Sequence, residues 1–176
     1  MGAVSLQNLS SFTLLESPTK VKKLAENAKK KGYSALALTD INITYGLVDF
    51  YKAAKEAGIK PLLGMQLRIN GLIDQANKYD LIVIAKDDQG YKNILRLSSA
   101  VNLLTENGEK DNILTFEELK KYLGHLVIVT PSNLHSELKM LQTNNPKMGA
   151  NYVRKLNETV PTSSSVYLGV YADEEQ

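Results

Sequence analysis

Gln7 and Leu9 stand two residues apart in VSLQNLSSFTLLES (4–17), which reads as a short strand, a tight polar turn and a carboxylate, Glu16, ahead of a Ser-Pro helix start. Side chains at that spacing share one face of a strand. A pair of imidazoles so placed could aim at one metal ion. An amide and an isobutyl group offer a single neutral oxygen instead. Thr39-Asp40, Gln66 and Thr130 to Asn133 fall near the ends of apolar, strand-like runs, and Asp80 opens another. Glu16, Asp40 and Asp80 could hold one hard cation such as Mg²⁺ weakly, mostly through water. They lack the imidazole and thiolate partners that a zinc or manganese cluster needs to polarise phosphate and generate hydroxide. Each also has an ordinary role: Glu16 as a helix-start acid, Asp40 as an acceptor for turn amides, Asp80 as a solvated or paired carboxylate. Of the two imidazoles, His125 falls at a strand start and His135 on a helix surface.

Elements able to position these groups alternate along the chain. AVSLQNL reads as a strand, followed by a helix over SPTKVKKLAENAKKKG with Ser17 as cap, Pro18 in the first turn and Gly32 ending it. Val21, Leu24, Ala25 and Ala28 form its apolar stripe and its lysines face out. SALALTD is a buried strand, and GLVDFYKAAKEAG a helix with Leu47, Phe50, Tyr51 and Ala54 on one face. IKPLLGMQLRI and YDLIVIAK are strands, the second apolar enough for burial on both faces in a parallel sheet. QGYKNILRLSSAVNLL is a helix, TENGEKDN an exposed turn, and TFEELKKYL a short helix opened by a Thr-x-x-Glu capping box. HLVIVT, SNLHSELKMLQ, NPKMGANYVRKLNETV and SSVYLGVYA complete the series as strand, helix, helix and strand. Strands alternating with helices of this length predict an α/β domain built on βαβ units, a parallel sheet or barrel.

Composition narrows the classes further. A chain of 176 residues with 43% hydrophobic and 23% charged residues can bury the core of one domain. It holds no apolar stretch long enough to span a bilayer and no signal-peptide pattern. The absence of cysteine excludes disulfides and thiolate metal sites, and fits a cytoplasmic setting. A net charge of +2 is too small to mark a nucleic-acid surface by itself.

Two stretches, ALTDINITYGLVDFYKAAKEAGIKPLLGMQLRI and YDLIVIAKDDQGYKNILRLSSAVN, carry more specific information. They resemble the PHP (polymerase and histidinol phosphatase) domain at the amino terminus of bacterial DNA polymerase III alpha subunits of the DnaE type. The resemblance runs over almost the whole chain. It implies a distorted, TIM-barrel-like (β/α)7 barrel lacking its last strands in this chain, with divalent metals at the strand ends of intact members. The family's His-x-His corresponds to Gln7 and Leu9, and the acid before the first helix to Glu16. Its Thr-Asp-His-Gly-Asn motif corresponds to Thr39, Asp40, Ile41, Asn42 and Ile43. A ligand glutamate corresponds to Gln66, a histidine to Asp80 and a cysteine to Ser132, while a late Asp-x-His motif lies beyond residue 176. These positions are therefore expected to be a vestigial metal site with no catalytic residue.

The function implied by this resemblance is structural. Residues 1–176 would be the amino-terminal portion of a longer replicative polymerase, with DNA-directed nucleotidyl transfer, its Mg²⁺ and the DNA held by other domains. Expected partners are those domains and replisome subunits: the sliding clamp, the clamp loader and a proofreading exonuclease. One alternative is an active metal-dependent PHP phosphoesterase or 3′–5′ proofreading exonuclease, against which Gln7, Leu9, Ile41 and Gln66 argue. Another is a free-standing α/β module that binds a small phosphorylated ligand.

Overall fold

A computed structural model describes residues 2–103, 115–131, 133 and 135–169. The elements are β1 (Ala3–Ser5), α1 (Val21–Lys30), β2 (Tyr33–Leu38), α2 (Leu47–Glu56), β3 (Lys60–Asn70), β4 (Lys78–Ala85), α3 (Asp88–Leu103), α4 (Phe116–Leu119) with a 3-10 turn over Lys120–Tyr122, β5 (Leu126–Thr130), α5 (Glu137–Asn144), α6 (Pro146–Thr159) and β6 (Ser165–Leu168). The TENGEKDN segment and the end of the last expected strand lie outside the described residues.

The six strands form one sheet in sequence order. β1 pairs with β2, β2 with β3 and β5 with β6 in parallel. The expectation of a parallel sheet fails at β4, which is antiparallel to both β3 and β5. The reason is length. Residues 71–77 alone separate β3 from β4, and a parallel return needs a crossover of a dozen or more residues. The pair is therefore a hairpin, registered from Gly64 opposite Ile84 to Asn70 opposite Lys78. β4 remains apolar on both faces because the sheet is covered on both.

Alternation along the strands divides the core in two. Met65, Leu67 and Ile69 of β3, with Leu81 and Val83 of β4, meet the helices. The opposite face carries Ala37, Ile82, Ile84 and Val129, with Leu62 and Val127 packed against them. The sheet thus curls into half of a barrel around a second, smaller core. A cavity of about 520 Å³ lies between the two edges, lined by Val4 of β1 on one side and by Tyr167 and Leu168 of β6 on the other. Gln7, expected on the first strand with Leu9, lines it too but lies past the end of β1, as Leu9 does.

Two end signals behave as expected, and two do not, Ser17 and Pro18, which both lie ahead of α1. Thr115 and Glu118 close a reciprocal capping box on α4. Pro146 occupies the first turn of α6 behind the Asn145 cap. Ser17, however, is not the cap of α1: that helix starts at Val21 behind Lys20, without a side-chain cap or a first-turn acid. Pro18 disfavours helix at the residue before it, and the Ser17 hydroxyl instead donates to the Leu9 carbonyl at 3.0 Å. On α2, Leu47, Phe50 and Ala54 are buried, whereas Tyr51 is exposed.

The β3–β4 turn is fixed from outside. The buried Glu137 carboxylate, in the first turn of α5, accepts the backbone N–H groups of Leu72, Ile73 and Asp74 at 2.7, 2.7 and 2.8 Å. Across the same turn the Tyr79 hydroxyl donates to Asp74 at 2.6 Å. That bond, with a second from Asn77, holds the Asp74 carboxyl below its ordinary value.

Candidate functional site

Three residues of the β3–β4 hairpin share the inner face of the curled sheet: Gln66 and Arg68 on β3, two apart, and Asp80 opposite Arg68 on β4. The Asp80 side chain has no solvent exposure. Its Oδ1 accepts Arg68 Nε at 2.9 Å; its Oδ2 accepts Gln66 Nε2 at 2.8 Å and Arg68 Nη2 at 3.3 Å. The fork of the guanidinium matches the two carboxylate oxygens, the geometry in which arginine binds carboxylates best. Those bonds to Asp80 push the Arg68 guanidinium further above its already high ordinary value. The network continues at both ends. Gln7 Nε2 donates to Gln66 Oε1 at 2.9 Å, and Arg68 Nη1 lies 3.7 Å from Glu16 Oε1, a looser and partly solvated pair.

Asp40 is buried nearby and faces a different task. Its Oδ1 accepts the Ser10 amide at 2.7 Å and the Thr13 hydroxyl at 2.8 Å, and its Oδ2 the Ser10 hydroxyl at 2.6 Å. The carboxylate therefore fastens the β1–α1 loop to the end of β2, a role across two loops rather than within the TDINITYG turn. The neighbouring backbone is tied as well: the Thr39 amide donates to the Asn8 carbonyl at 2.8 Å, and the Asn8 amide to Thr39 Oγ1 at 3.0 Å. Asn42 takes a φ of 59°, which asparagine tolerates, and its Oδ1 accepts the Arg68 amide at 2.9 Å. Replacing Asp40 by Asn should cost about 2 kcal/mol, since a neutral oxygen keeps two of the three charge-assisted bonds and an NH₂ group replaces the oxygen that accepts the Ser10 hydroxyl. Urea denaturation with a chelator present checks this. A ligand carboxylate would instead show its loss only when metal is supplied.

Of the residues expected at the site, Gln7, Gln66 and Asp80 touch in series, and Glu16 joins through Arg68. Ile41 forms a parallel bridge with Gln66 through the backbone, so it too borders the group. Glu16 is not a helix-start acid, because α1 begins five residues later. Leu9 is half-buried and its carbonyl receives Ser17. Ser132 lies outside the described residues. His125 precedes β5 and holds Asp87 at 2.8 Å through Nδ1, while His135 is exposed ahead of α5.

Arg68 is the residue that sequence reading missed. Its position two residues after Gln66 on a strand was the available signal, because that spacing puts both side chains on one face. The donor set does not fit a multi-metal centre. Both Asp80 oxygens face a guanidinium, Asp40 is taken by Ser10 and Thr13, and Gln7 and Gln66 are paired amides. Among the described residues, no buried side-chain nitrogen or oxygen lacks a partner, and no group of three or more His, Asp or Glu side chains converges as metal ligands would. No helix among them is long and apolar enough to cross a membrane.

Comparison with known proteins agrees with this frame. The family model for the PHP domain matches residues 5–170. The chain is 34% identical over 170 residues to the DNA polymerase III subunit alpha of Halalkalibacterium halodurans, covering 97% of this chain and 15% of that protein. It is 40% identical over 120 residues to the corresponding subunit of Staphylococcus epidermidis, covering 68% of this chain and 10% of that one. The chain thus spans a small part of the curated relatives it matches. Among solved structures, an amidohydrolase from Chromobacterium violaceum aligns with a TM-score of 0.53 over 97% of this chain and 88% of that one, at 12% identity, a likeness of fold alone. The half-barrel and the family match over nearly the whole length lead to one conclusion: the chain belongs to the PHP domain family.

Proposed function

We propose that this chain is the PHP domain of a longer DNA polymerase III alpha-type protein and serves it as a structural and interaction domain, without metal chemistry of its own. The observation that carries the reading is the Asp80 carboxylate, whose counter-charge is the chain's own Arg68 guanidinium. A divalent ion bound there would have to displace that guanidinium or sit against it. On this reading Gln7, Leu9, Glu16, Asp40, Ile41, Gln66, Asp80 and Ser132 are vestigial metal positions. Nucleotidyl transfer, the Mg²⁺ that serves it, DNA and the replisome subunits would engage other domains. The similarity to polymerase III alpha subunits over 97% of this chain supports that placement.

Elemental analysis and activity assays test the proposal together. The purified chain should carry less than about one equivalent of zinc or manganese, given how few free donors remain. It should neither extend a primer nor degrade single-stranded DNA with any divalent ion supplied. Several tightly bound metals per chain would overturn the reading, as would a manganese-dependent nuclease activity that Asp80→Asn abolishes.

A further inference from the structure

Leu14 and Leu15, in the loop between β1 and α1, are 81% and 107% exposed. Leu15 also takes a φ of 67°, a left-handed conformation that costs a bulky side chain steric energy. The loop is not free to relax it away. Asp40 grips Ser10 and Thr13, and the Phe12 ring lies so close to Gly46 that a Cβ there would sit 2.8 Å from Phe12 Cδ2. Beyond that contact Tyr45 and Val48, flanking the start of α2, are 72% and 56% exposed. The pinned β1–α1 loop and the start of α2 thus hold four large apolar side chains out to solvent, next to the Glu16–Arg68 end of the polar network. Lys20, Lys22 and Lys23, all exposed, follow the loop into α1, whose first turn has no acid.

We infer that this rim is a docking surface for a neighbouring domain of the same longer chain, one that presents an apolar cleft bordered by carboxylates. The inference rests on the function proposed above. Contiguous large apolar groups on a protein surface mark protein contacts, and Leu14, Leu15 and Val48 offer a nucleic acid neither a phosphate partner nor a stacking face, which leaves Tyr45 as the one aromatic ring among these four. Lys20, Lys22 and Lys23 outnumber the exposed Glu16 and Asp49 that also flank the rim, and this excess of positive charge sets the charge of the partner's border. The source follows from length: the match covers 15% of the Halalkalibacterium halodurans relative, so most of such a protein is available to cover the rim. A tethered domain docks at high effective concentration, so a modest apolar patch suffices.

The chain has no cysteine, which makes Leu15→Cys a clean probe. Its maleimide labelling, read at the peptide level by mass spectrometry, is compared between the 176-residue chain and the longer chain that carries it. The expected result is labelling slowed about tenfold or more in the longer chain, as burial in a stable contact requires, with Lys30→Cys labelled equally in both. Leu14→Asp in the longer chain should restore fast labelling of Cys at 15 without changing the melting temperature of the 176-residue chain. Equal rates in both chains overturn the docking surface and leave the proposed function standing. A continuing reading frame without polymerase domains overturns both. Protection in the 176-residue chain that vanishes on dilution assigns the rim to a second copy, and protection that requires added single-stranded DNA assigns it to nucleic acid; either result overturns the inference.

Discussion

Glu137→Ala is expected to destabilise the chain by about 4 kcal/mol, because it strands three backbone N–H groups at once. Leu72, Ile73 and Asp74 all donate to that carboxylate, and the side chain that receives them is buried. Hydrogen bonds to a charged acceptor contribute about 1.5–3 kcal/mol each, and the sum is discounted because water can reach the half-buried Ile73 and Asp74. The turn is shaped to admit the carboxylate: a Cβ on Gly71 would sit 2.6 Å from Glu137 Oε1 and 2.5 Å from the Asp74 carbonyl. Glu137→Gln should cost roughly half as much, since one amide oxygen still accepts while the NH₂ faces donors. Urea denaturation of both variants decides the matter. Equal, small losses would mean that the turn is held by its own backbone and not by α5.

Arg68→Met should cost about 3 kcal/mol, through the charge that it leaves uncompensated rather than the packing that it removes. Breaking a buried ion pair on one side is worth about 3–5 kcal/mol, and the lower end applies because the Arg68 side chain is 31% exposed. Asp80→Asn in the Arg68→Met background should return much of the loss, since the amide oxygen still accepts Gln66 and no charge remains buried. Glu16→Gln should change little, its pair with Arg68 being long and solvated. A double-mutant cycle on Arg68 and Asp80, read by denaturation, separates this coupling from packing. Additive losses would show that the two side chains are neighbours without interaction, and would remove the main support for the proposed function.

Much of this architecture is legible in local signals. The Thr115–Glu118 box, Pro146 behind Asn145, and the apolar run of β4 each name an element because a single physical requirement dominates there. What escapes is set between elements. The direction of β4 is decided by the shortness of residues 71–77, which an apolar pattern cannot reveal. Ser17 has the chemistry of a cap, yet Pro18 and the Leu9 carbonyl claim its neighbourhood. At the site, residue types that look like losses taken singly (Gln7, Gln66 and Asp80) become a satisfied network only when Arg68 is added. Arginine on a strand gives no sign of its partner until register places Asp80 opposite it.

The hairpin has a consequence for the order in which the molecule assembles. β3 and β4 pair across a short loop, whereas Gln7 reaches Gln66 over 59 residues of chain and Ser10 reaches Asp40 over 30. Local contacts close sooner, since less loop entropy is lost in making them. Gln66, Arg68 and Asp80 all ride on the hairpin, so the charged centre of the half-barrel can be neutralised within the first native structure to form. The amino-terminal loop then closes onto a surface already neutralised in charge, where Gln7 adds the bond to Gln66. A centre that depended on an incoming ion would reach that state only after its most distant ligands had arrived; this one has its cation encoded in the chain, two residues along the same strand.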